Sequence, residues 1–232
     1  MHDDSLLRGL GVALNRIEGL PRKACDKHSK VLIRSPRPMC TSVTSKIALR
    51  QRFRDFRCSL TEDAYTEKSA SIVQRVLRLP EVRSAEVVHT YWPLPERREV
   101  DTRPFIQALD EAGVQIALPV VTSYPPNAPE MAHRRYTGMD SLVNNRWGIP
   151  EPKGTPLVFP PDLDAVIVPA LGADHAGHRL GQGAGYYDAF LSGVSAPRIV
   201  LTYADTLVHT LPAEPHDVPA TIVVTESEVR RP

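Results

Sequence analysis

Gly177-His178-Arg179-Leu180-Gly181-Gln182-Gly183-Ala184-Gly185-Tyr186-Tyr187-Asp188 is the stretch on which the reading of the fold turns. The apolar run before it, Ala165-Val166-Ile167-Val168-Pro169, predicts a buried strand. Its tail, Tyr186 to Leu191, predicts the first turns of a helix. A strand, a glycine-rich turn and a helix start together make a phosphate cradle. Glycine lets the backbone adopt positive φ and approach a ligand, and the N–H groups at a helix start favour anionic oxygens. Arg179 adds a forked donor. Asp188, just inside the helix, is placed to hold a hard cation beside the phosphates.

Three glycines at alternate positions are weak evidence alone. No Gly-Lys-Ser/Thr follows, so this is not a Walker loop, and the third glycine comes one residue too early for the dinucleotide fingerprint. A tight strand-to-helix turn that binds nothing gives the same pattern. Arg179 and the Tyr186-Tyr187-Asp188 tail favour a nucleotide over that bare turn.

Outward from this stretch, helix and strand alternate. The first helix begins at Ser45 or Lys46, where Leu49, Phe53, Phe56 and Leu60 form one apolar stripe. Lys46, Arg50, Arg54 and Arg57 form a basic stripe beside it. Such a stripe is ordinarily a solvated face. Its functional alternative is that Lys46 and Arg50, one turn apart, reach a polyphosphate. Ser59-x-x-Glu62 predicts a capping box opening a second helix that runs to Leu79 and stops at Pro80. Glu86 to Tyr91 predicts a strand. Thr102 caps a short helix with Pro104 in its first turn and Gly113 after its end. Strands are predicted at Val114–Val121, Met131–Tyr136, Arg198–Tyr203 and Thr221–Thr225, the last closing the sheet. Trp147 to Pro152 predicts an extended, proline-stiffened loop. The pattern is that of a single α/β domain with helices on both faces.

In open α/β sheets, ligands bind at the carboxyl ends of the strands. Pro93–Glu99, the glycine turn, the loop after Tyr203 and the loop after Val121 all start at such ends. Their convergence points to a site more strongly than any one of them.

Composition sets limits. A chain of 232 residues is long enough for one sizeable core. Its formal net charge of +1 gives no global field that would attract nucleic acid or an anionic membrane. No apolar run approaches the roughly 18 to 20 residues of a transmembrane helix. The three cysteines, Cys25, Cys40 and Cys58, form no CxxC pair, which fits a reduced, cytoplasmic protein. Residues 1–43 lack a sustained pattern and read as a mobile extension; residues 44–232 form the α/β domain. His175 and His178 stand three apart, but without a third ligand they read as a solvated loop. His133, Arg134 and Arg135 read as an exposed basic strand edge.

The segment Leu171-Gly172-x-Asp174-x-x-Gly177-x-Arg179-Leu180-Gly181-x-Gly183-x-Gly185-Tyr186-Tyr187-Asp188 resembles the nucleotide loop of the 5-formyltetrahydrofolate cyclo-ligases, also called 5,10-methenyltetrahydrofolate synthetases. Lys46-x-x-x-Arg50 resembles their N-terminal ATP-contacting pair, and Glu99-x-Asp101-Thr102 their folate-side acidic motif. Gly148-Ile149-Pro150-Glu151-Pro152 and Glu214-Pro215-His216-Asp217-Val218-Pro219 resemble two further segments. Order and spacing agree from Lys46 to Glu226, about four fifths of the chain. One departure is Ala173, where the family commonly has Phe, which is expected to loosen an apolar wall near the site.

The resemblance implies a Rossmann-like, three-layer open sheet of the sugar-phosphate isomerase and CoA transferase type. It implies ATP- and Mg²⁺-dependent closure of 5-formyltetrahydrofolate to 5,10-methenyltetrahydrofolate, with release of ADP and phosphate. It implies ATP binding by Lys46, Arg50, Arg179, Leu180, Gly181, Gln182, Gly183, Ala184, Gly185, Tyr186 and Tyr187. Lys46, Arg179 and Tyr187 are the expected catalytic residues, and Asp188 and Asp217 the expected metal ligands. Leu94 and Glu99 carry over as substrate positions; Trp92 is inferred, with Leu94 and Tyr187, for the apolar wall against the folate rings, and the alternative to a bare edge at His133, Arg134 and Arg135 is a hold for a polyglutamate tail. A monomer acting on small molecules, with no nucleic-acid or membrane partner, is expected. The alternatives are a non-catalytic nucleotide- or folate-binding paralogue and a sugar-phosphate isomerase of related fold. Neither needs both Asp188 and Asp217.

Overall fold

The structure, a computed structural model, describes residues 45–124 and 128–232. The expected extension over residues 1–43 lies outside the described residues, as do Cys25 and Cys40. Helix α1 (Lys46–Ser59) starts where its stripe predicts, with Ser45 Oγ accepting from the Ala48 N–H at 3.3 Å. Its Leu49 and Phe53 are buried against Leu171, Leu180 and Leu211. The expected capping box is not there. Ser59 is the last residue of α1, and its hydroxyl donates to the Phe56 carbonyl at 2.7 Å. Thr61 instead caps α2 (Glu62–Leu77), accepting from the Ala64 N–H at 3.2 Å. That start puts Glu62 and Asp63 in the first turn, at the positive end of the helix dipole. Helix α2 stops at Leu77 rather than at the expected Leu79, and Pro80 opens the next element, the single turn α3 (Pro80–Arg83), at a position that needs no N–H donor.

Strand β1 (Val87–His89), helix α4 (Arg103–Glu111) and strand β2 (Gln115–Ser123) follow. Thr102 stands at the N-cap of α4, but its hydroxyl donates to the Tyr91 carbonyl at 2.7 Å rather than capping the helix. Then come β3 (Glu130–Arg135) and an antiparallel hairpin of β4 (Leu142–Asn144) and β5 (Pro150–Pro152). The prolines of the expected loop therefore sit in a short edge strand, the sheet position that tolerates a missing donor. The chain continues with β6 (Ala165–Pro169), β7 (Gly172–Asp174), β8 (Arg179–Leu180) and α5 (Tyr186–Leu191). It ends with β9 (Arg198–Leu201), β10 (Leu207–Val208), β11 (Ile222–Val224) and β12 (Val229–Arg230). The strand expected to close the sheet, β11, is not its edge: β12 pairs antiparallel beyond it.

The main sheet has the order β12-β11-β9-β6-β1-β2-β3. Its five inner strands are parallel, and β12 and β3 are antiparallel edges. Period-two alternation splits the inner strands between two cores. Val88, Ile116, Ile167, Ile199 and Val224 face Ile72, Leu77, Phe105 and Leu109 of α2 and α4. Val166, Val168, Val200 and Val223 face Phe190 and Leu191 of α5 with Val158 and Leu163. This is the expected open α/β sheet in three layers. The chain runs from β1 to β2 in one direction and from β6 to β9 and β11 in the other. The crevice between the carboxyl ends of β1 and β6 is thus the point where strand order reverses, the ligand position of such sheets. A small sheet, β10-β7-β8, lies at that end. Helix α1 crosses it closely because position 172 is glycine: a Cβ there would stand 2.4 Å from the Phe53 ring and 2.6 Å from the Thr206 carbonyl. No helix among the described residues is long and apolar enough to cross a membrane.

Candidate active site

A cavity of about 280 Å³ opens at this crevice. One wall is the glycine loop. Gly183 and Gly185 are left-handed, at φ 102° and 79°, so these two positions require glycine. Gly181 differs: its φ is ordinary and a Cβ would meet nothing within 4 Å. Its lack of a side chain leaves room for a ligand rather than satisfying the fold. Leu180, Gln182, Ala184 and Tyr186 line the same wall. Gln182 Oε1 accepts from Arg54 at 2.8 Å, and the Tyr186 hydroxyl donates to the Ser123 carbonyl at 2.8 Å.

Cations face that loop, and each already has a partner. Arg50 Nε donates to the Gly181 carbonyl at 3.0 Å, and its guanidinium packs against Gly183. Arg179 donates to the Asp188 carboxylate and to the Val218 carbonyl. Lys46 Nζ donates to Asp217 Oδ2 at 2.8 Å and reaches Glu214 at 3.1 Å. Partial burial opposes the Lys46 charge, but its hydrogen bonds to Asp217 and Glu214 outweigh this and raise its pKa. The same contact, with the Glu214 N–H, holds Asp217 below the ordinary aspartate range despite its own burial. Asp188 and Asp217, far apart in sequence, line one cavity. Among the described residues no group of three or more His, Cys, Asp or Glu gathers as a metal cage. Asp188 and Asp217, paired here with Arg179 and Lys46, are the carboxylates that would hold a hard cation beside a bound phosphate.

The opposite wall is apolar and carries groups without partners. Tyr91, Trp92 and Leu94 follow β1, and Glu99 ends the next turn with its Oε2 accepting from the Leu94 N–H at 3.2 Å. Arg98 aims Glu99 inward. It is the one non-glycine residue among those described with positive φ, at 50°. The Tyr203 hydroxyl donates to its carbonyl at 3.0 Å, Glu62 pairs with its guanidinium at 2.8 Å, and that guanidinium lies 5.0 Å from the Tyr65 ring. A strained backbone persists only when its surroundings fix it in this way. Burial pushes the Glu99 carboxyl up, against the pull of Arg57 and the Leu94 N–H. The Tyr187 hydroxyl is buried without a partner, and burial pushes its phenol well up.

All the residues expected at the site therefore line one cavity. The loop after Tyr203 does not. It turns toward α2, where Lys68 bridges Asp205 and Glu226. Ala173 is buried in the core beside Val166 and Val168 rather than at the cavity, so it loosens no wall there. Of the expected basic edge on β3, Arg135 is exposed, but His133 points inward: it is 5 % exposed, packed on His89 and Phe190. His178 bonds Asp174 at 3.1 Å, while His175 is exposed beside His209.

Several cavity residues escape sequence reasoning, Arg57, Glu151 and Trp147 among them. Arg57 is buried rather than solvated. Glu151 Oε1 accepts from the Val121 N–H at 3.1 Å and from Asn145 at 2.8 Å, joining the β4–β5 hairpin to β2. Trp147 stands at the rim against the Tyr124 ring, with Arg146 over both. The motif Gly148–Pro152 signals the last two, because it fixes the hairpin that carries them.

Comparison with known proteins follows this geometry. The sequence profile of the 5-formyltetrahydrofolate cyclo-ligase family matches residues 42–226. A 5-formyltetrahydrofolate cyclo-ligase of Escherichia coli K12 is 34% identical over 186 residues, 78% of this chain and 98% of the relative. The Haemophilus influenzae enzyme of that name is 31% identical over 176 residues, 74% of this chain and 92% of the relative. The solved structure of the Aquifex aeolicus 5,10-methenyltetrahydrofolate synthetase superposes with a TM-score of 0.72 at 30% identity, over 80% of this chain and 92% of that one. With the family profile spanning most of its length and its fold shared with a solved relative, this chain belongs to the 5-formyltetrahydrofolate cyclo-ligase family of enzymes.

Proposed function

We propose that the chain converts 5-formyltetrahydrofolate to 5,10-methenyltetrahydrofolate with ATP, releasing ADP and phosphate through a phosphorylated formyl oxygen. The observation that carries this reading is one cavity with two unlike walls. One side gathers Lys46, Arg50 and Arg179 around a glycine loop, and the other sets Trp92, Leu94 and Glu99 against it. An isomerase of a single sugar phosphate has no use for the second wall, and a bare binder none for two carboxylates beside three cations.

The chemistry suits these groups. The formyl oxygen attacks the γ-phosphorus of ATP, the bond to the ADP oxygen breaks, and ADP leaves. N10 then attacks the formyl carbon, the carbon–oxygen bond breaks, and phosphate leaves with the electron pair. N10 gives up its proton to solvent, leaving the methenyl bridge. Positioning and charge neutralisation supply most of such a transfer. Lys46 and Arg179 neutralise the transferring phosphoryl group, and Arg50 fixes the loop beneath it. The free Tyr187 hydroxyl donates toward the reacting oxygens. Glu99 accepts from the pterin. Asp188 and Asp217 are the residues that would hold Mg²⁺, which supplies further neutralisation of phosphate charge. The test is absorbance of methenyltetrahydrofolate formed from 5-formyltetrahydrofolate, with ATP or Mg²⁺ omitted in turn. Product formed equally without ATP would sink the proposal.

A further inference from the structure

Glu151 is the middle residue of β5 and is 9% exposed. Two donors fix its Oε1: the Val121 N–H of β2 at 3.1 Å and Asn145 Nδ2 at 2.8 Å. Asn145 cannot turn its amide round, because its Oδ1 accepts from the N–H groups of Trp147 and Ile149 at 2.9 and 3.1 Å. The hairpin turn thus sets Asn145, and Asn145 sets Glu151, with one carboxylate oxygen filled. The other oxygen, Oε2, has no partner among the described residues and is not one of the fully enclosed polar atoms. Glu151 lines the active cavity, as do Val121, Met131, Ile149 and Pro150 around it. A lone fixed acceptor on an apolar wall is costly until a donor meets it, and it is the usual means by which such a pocket orients a ligand.

We propose that Glu151 is a specificity-determining residue: its Oε2 accepts a hydrogen bond from the exocyclic amino group of a heteroaromatic ring bound in the cavity. The apolar neighbours of Glu151 take the ring, and the filled Oε1 keeps the carboxylate from swinging away. Adenine and the pterin each carry one such amino group, and assigning the donor to these two rings rests on the cyclo-ligase reading. The binding measurement that follows needs no turnover.

Glu151→Gln is the discriminating variant. Its amide oxygen keeps both bonds, to Val121 and Asn145, so the hairpin stays tied, while its Nε2 puts a donor where the cavity had an acceptor. Isothermal titration of the full chain uses ATP, ITP, which has oxygen in place of the adenine amino group, and 5-formyltetrahydrofolate. The variant should melt close to wild type and bind one amine-bearing ligand about tenfold more weakly or worse. Weaker binding of ATP but not of ITP names adenine as the ring; weaker binding of the folate alone names the pterin. Wild-type affinity for all three ligands, or an equal loss for all three, overturns the proposal and leaves Glu151 as a tie between hairpin and β2. If the Gln variant does not fold, the wild-type chain is titrated with ITP against ATP, and with a folate whose pterin amino group is replaced by methyl against its parent. No loss in either comparison overturns the proposal. Wild-type protein that binds these ligands but forms no product overturns the cyclo-ligase reading alone, and wild-type protein that binds none of them overturns both.

Discussion

The two walls of the cavity follow opposite rules. On the glycine-loop side every named cation is engaged: Lys46 with Asp217, Arg179 with Asp188, Arg50 with the Gly181 carbonyl. On the β1 side Arg57 Nε and the Tyr187 hydroxyl are buried without partners, and Glu99 accepts from only one N–H that the structure records. Beneath them both ring nitrogens of His89 are also unpaired. The first wall can exchange its ion pairs for a polyanion at little net cost, because each charge stays compensated. The second bears the desolvation of its polar atoms until a ligand arrives. Such a division suits an enzyme that must take a highly charged partner and a largely aromatic one into a single crevice.

Breaking the engaged wall should have the largest effect. Arg179→Ala removes the donor to Asp188 and Val218, and kcat/KM for ATP is expected to fall about 10²–10³-fold, with turnover falling too. Steady-state kinetics alongside a melting curve checks it; unaltered ATP kinetics would separate Arg179 from the phosphates. A smaller loss, roughly 10–100-fold in Mg²⁺-dependent rate, is expected for Asp188→Asn and for Asp217→Asn. The double variant should be little worse than the poorer single one, since residues acting as a unit are not additive. A Mg²⁺ titration of all three variants decides it, and a wild-type Mg²⁺ curve for Asp217→Asn would remove that residue from the metal.

The unpaired wall gives effects of the other kind. Tyr187→Phe deletes a buried hydroxyl without a partner, so stability should rise or stay level, within about 1 kcal/mol, while turnover falls roughly tenfold. Loss of stability instead, measured by denaturant unfolding, would mean that the hydroxyl is satisfied in the free protein. The histidines below sharpen the point. Burial holds His133 at about 4 and His89 well below the ordinary range, so both are neutral in the fold. The unfolded chain takes up their protons near pH 6.5, so their contribution is complete above that value and is lost as pH falls toward 4. His133→Gln should flatten the decline in melting temperature over this window. A decline as steep in the variant as in the wild type would assign the acid sensitivity to other groups.

Much of this was legible in the residues. The 3.6-residue stripe at Leu49 and Phe53 fixes the phase of α1, and hence the side on which Lys46 and Arg50 stand. The run Ala165–Pro169 and the tail Tyr186-Tyr187-Asp188 read as strand and helix, but the hairpin of β7 and β8 stands between them, so Arg179 and Leu180 of the expected turn lie in a strand and only the glycines after them turn. The local signals that failed had a stronger competitor nearby. Ser59 lost the cap of α2 to Thr61 because the latter start puts two acidic residues in the first turn. Pro150 and Pro152 read as a loop, since proline cannot donate to a ladder, yet both fit a two-stranded edge. The loop after Tyr203 starts at a strand end like the others, but Glu226, which accepts from the Ala204 N–H at 2.8 Å, draws it away from the crevice.

Periodicity determined which residues share a face, and the glycines determined where the backbone turns back on itself. Neither specifies what covers that face. Arg54 and Arg57 belong to the same basic stripe, but only Arg57 is roofed by the chain after β6, which makes it a buried charge rather than a solvated one. Lys46 and Asp217 are 171 positions apart, and no spacing rule links them. The order of parallel strands brings them together at one crevice, because pairing in a sheet depends on hydrogen bonds between segments distant in sequence. The polar atoms left unpaired at the β1 wall were likewise decided by the tertiary structure, since desolvation depends on everything packed around a group and not on its neighbours in the chain.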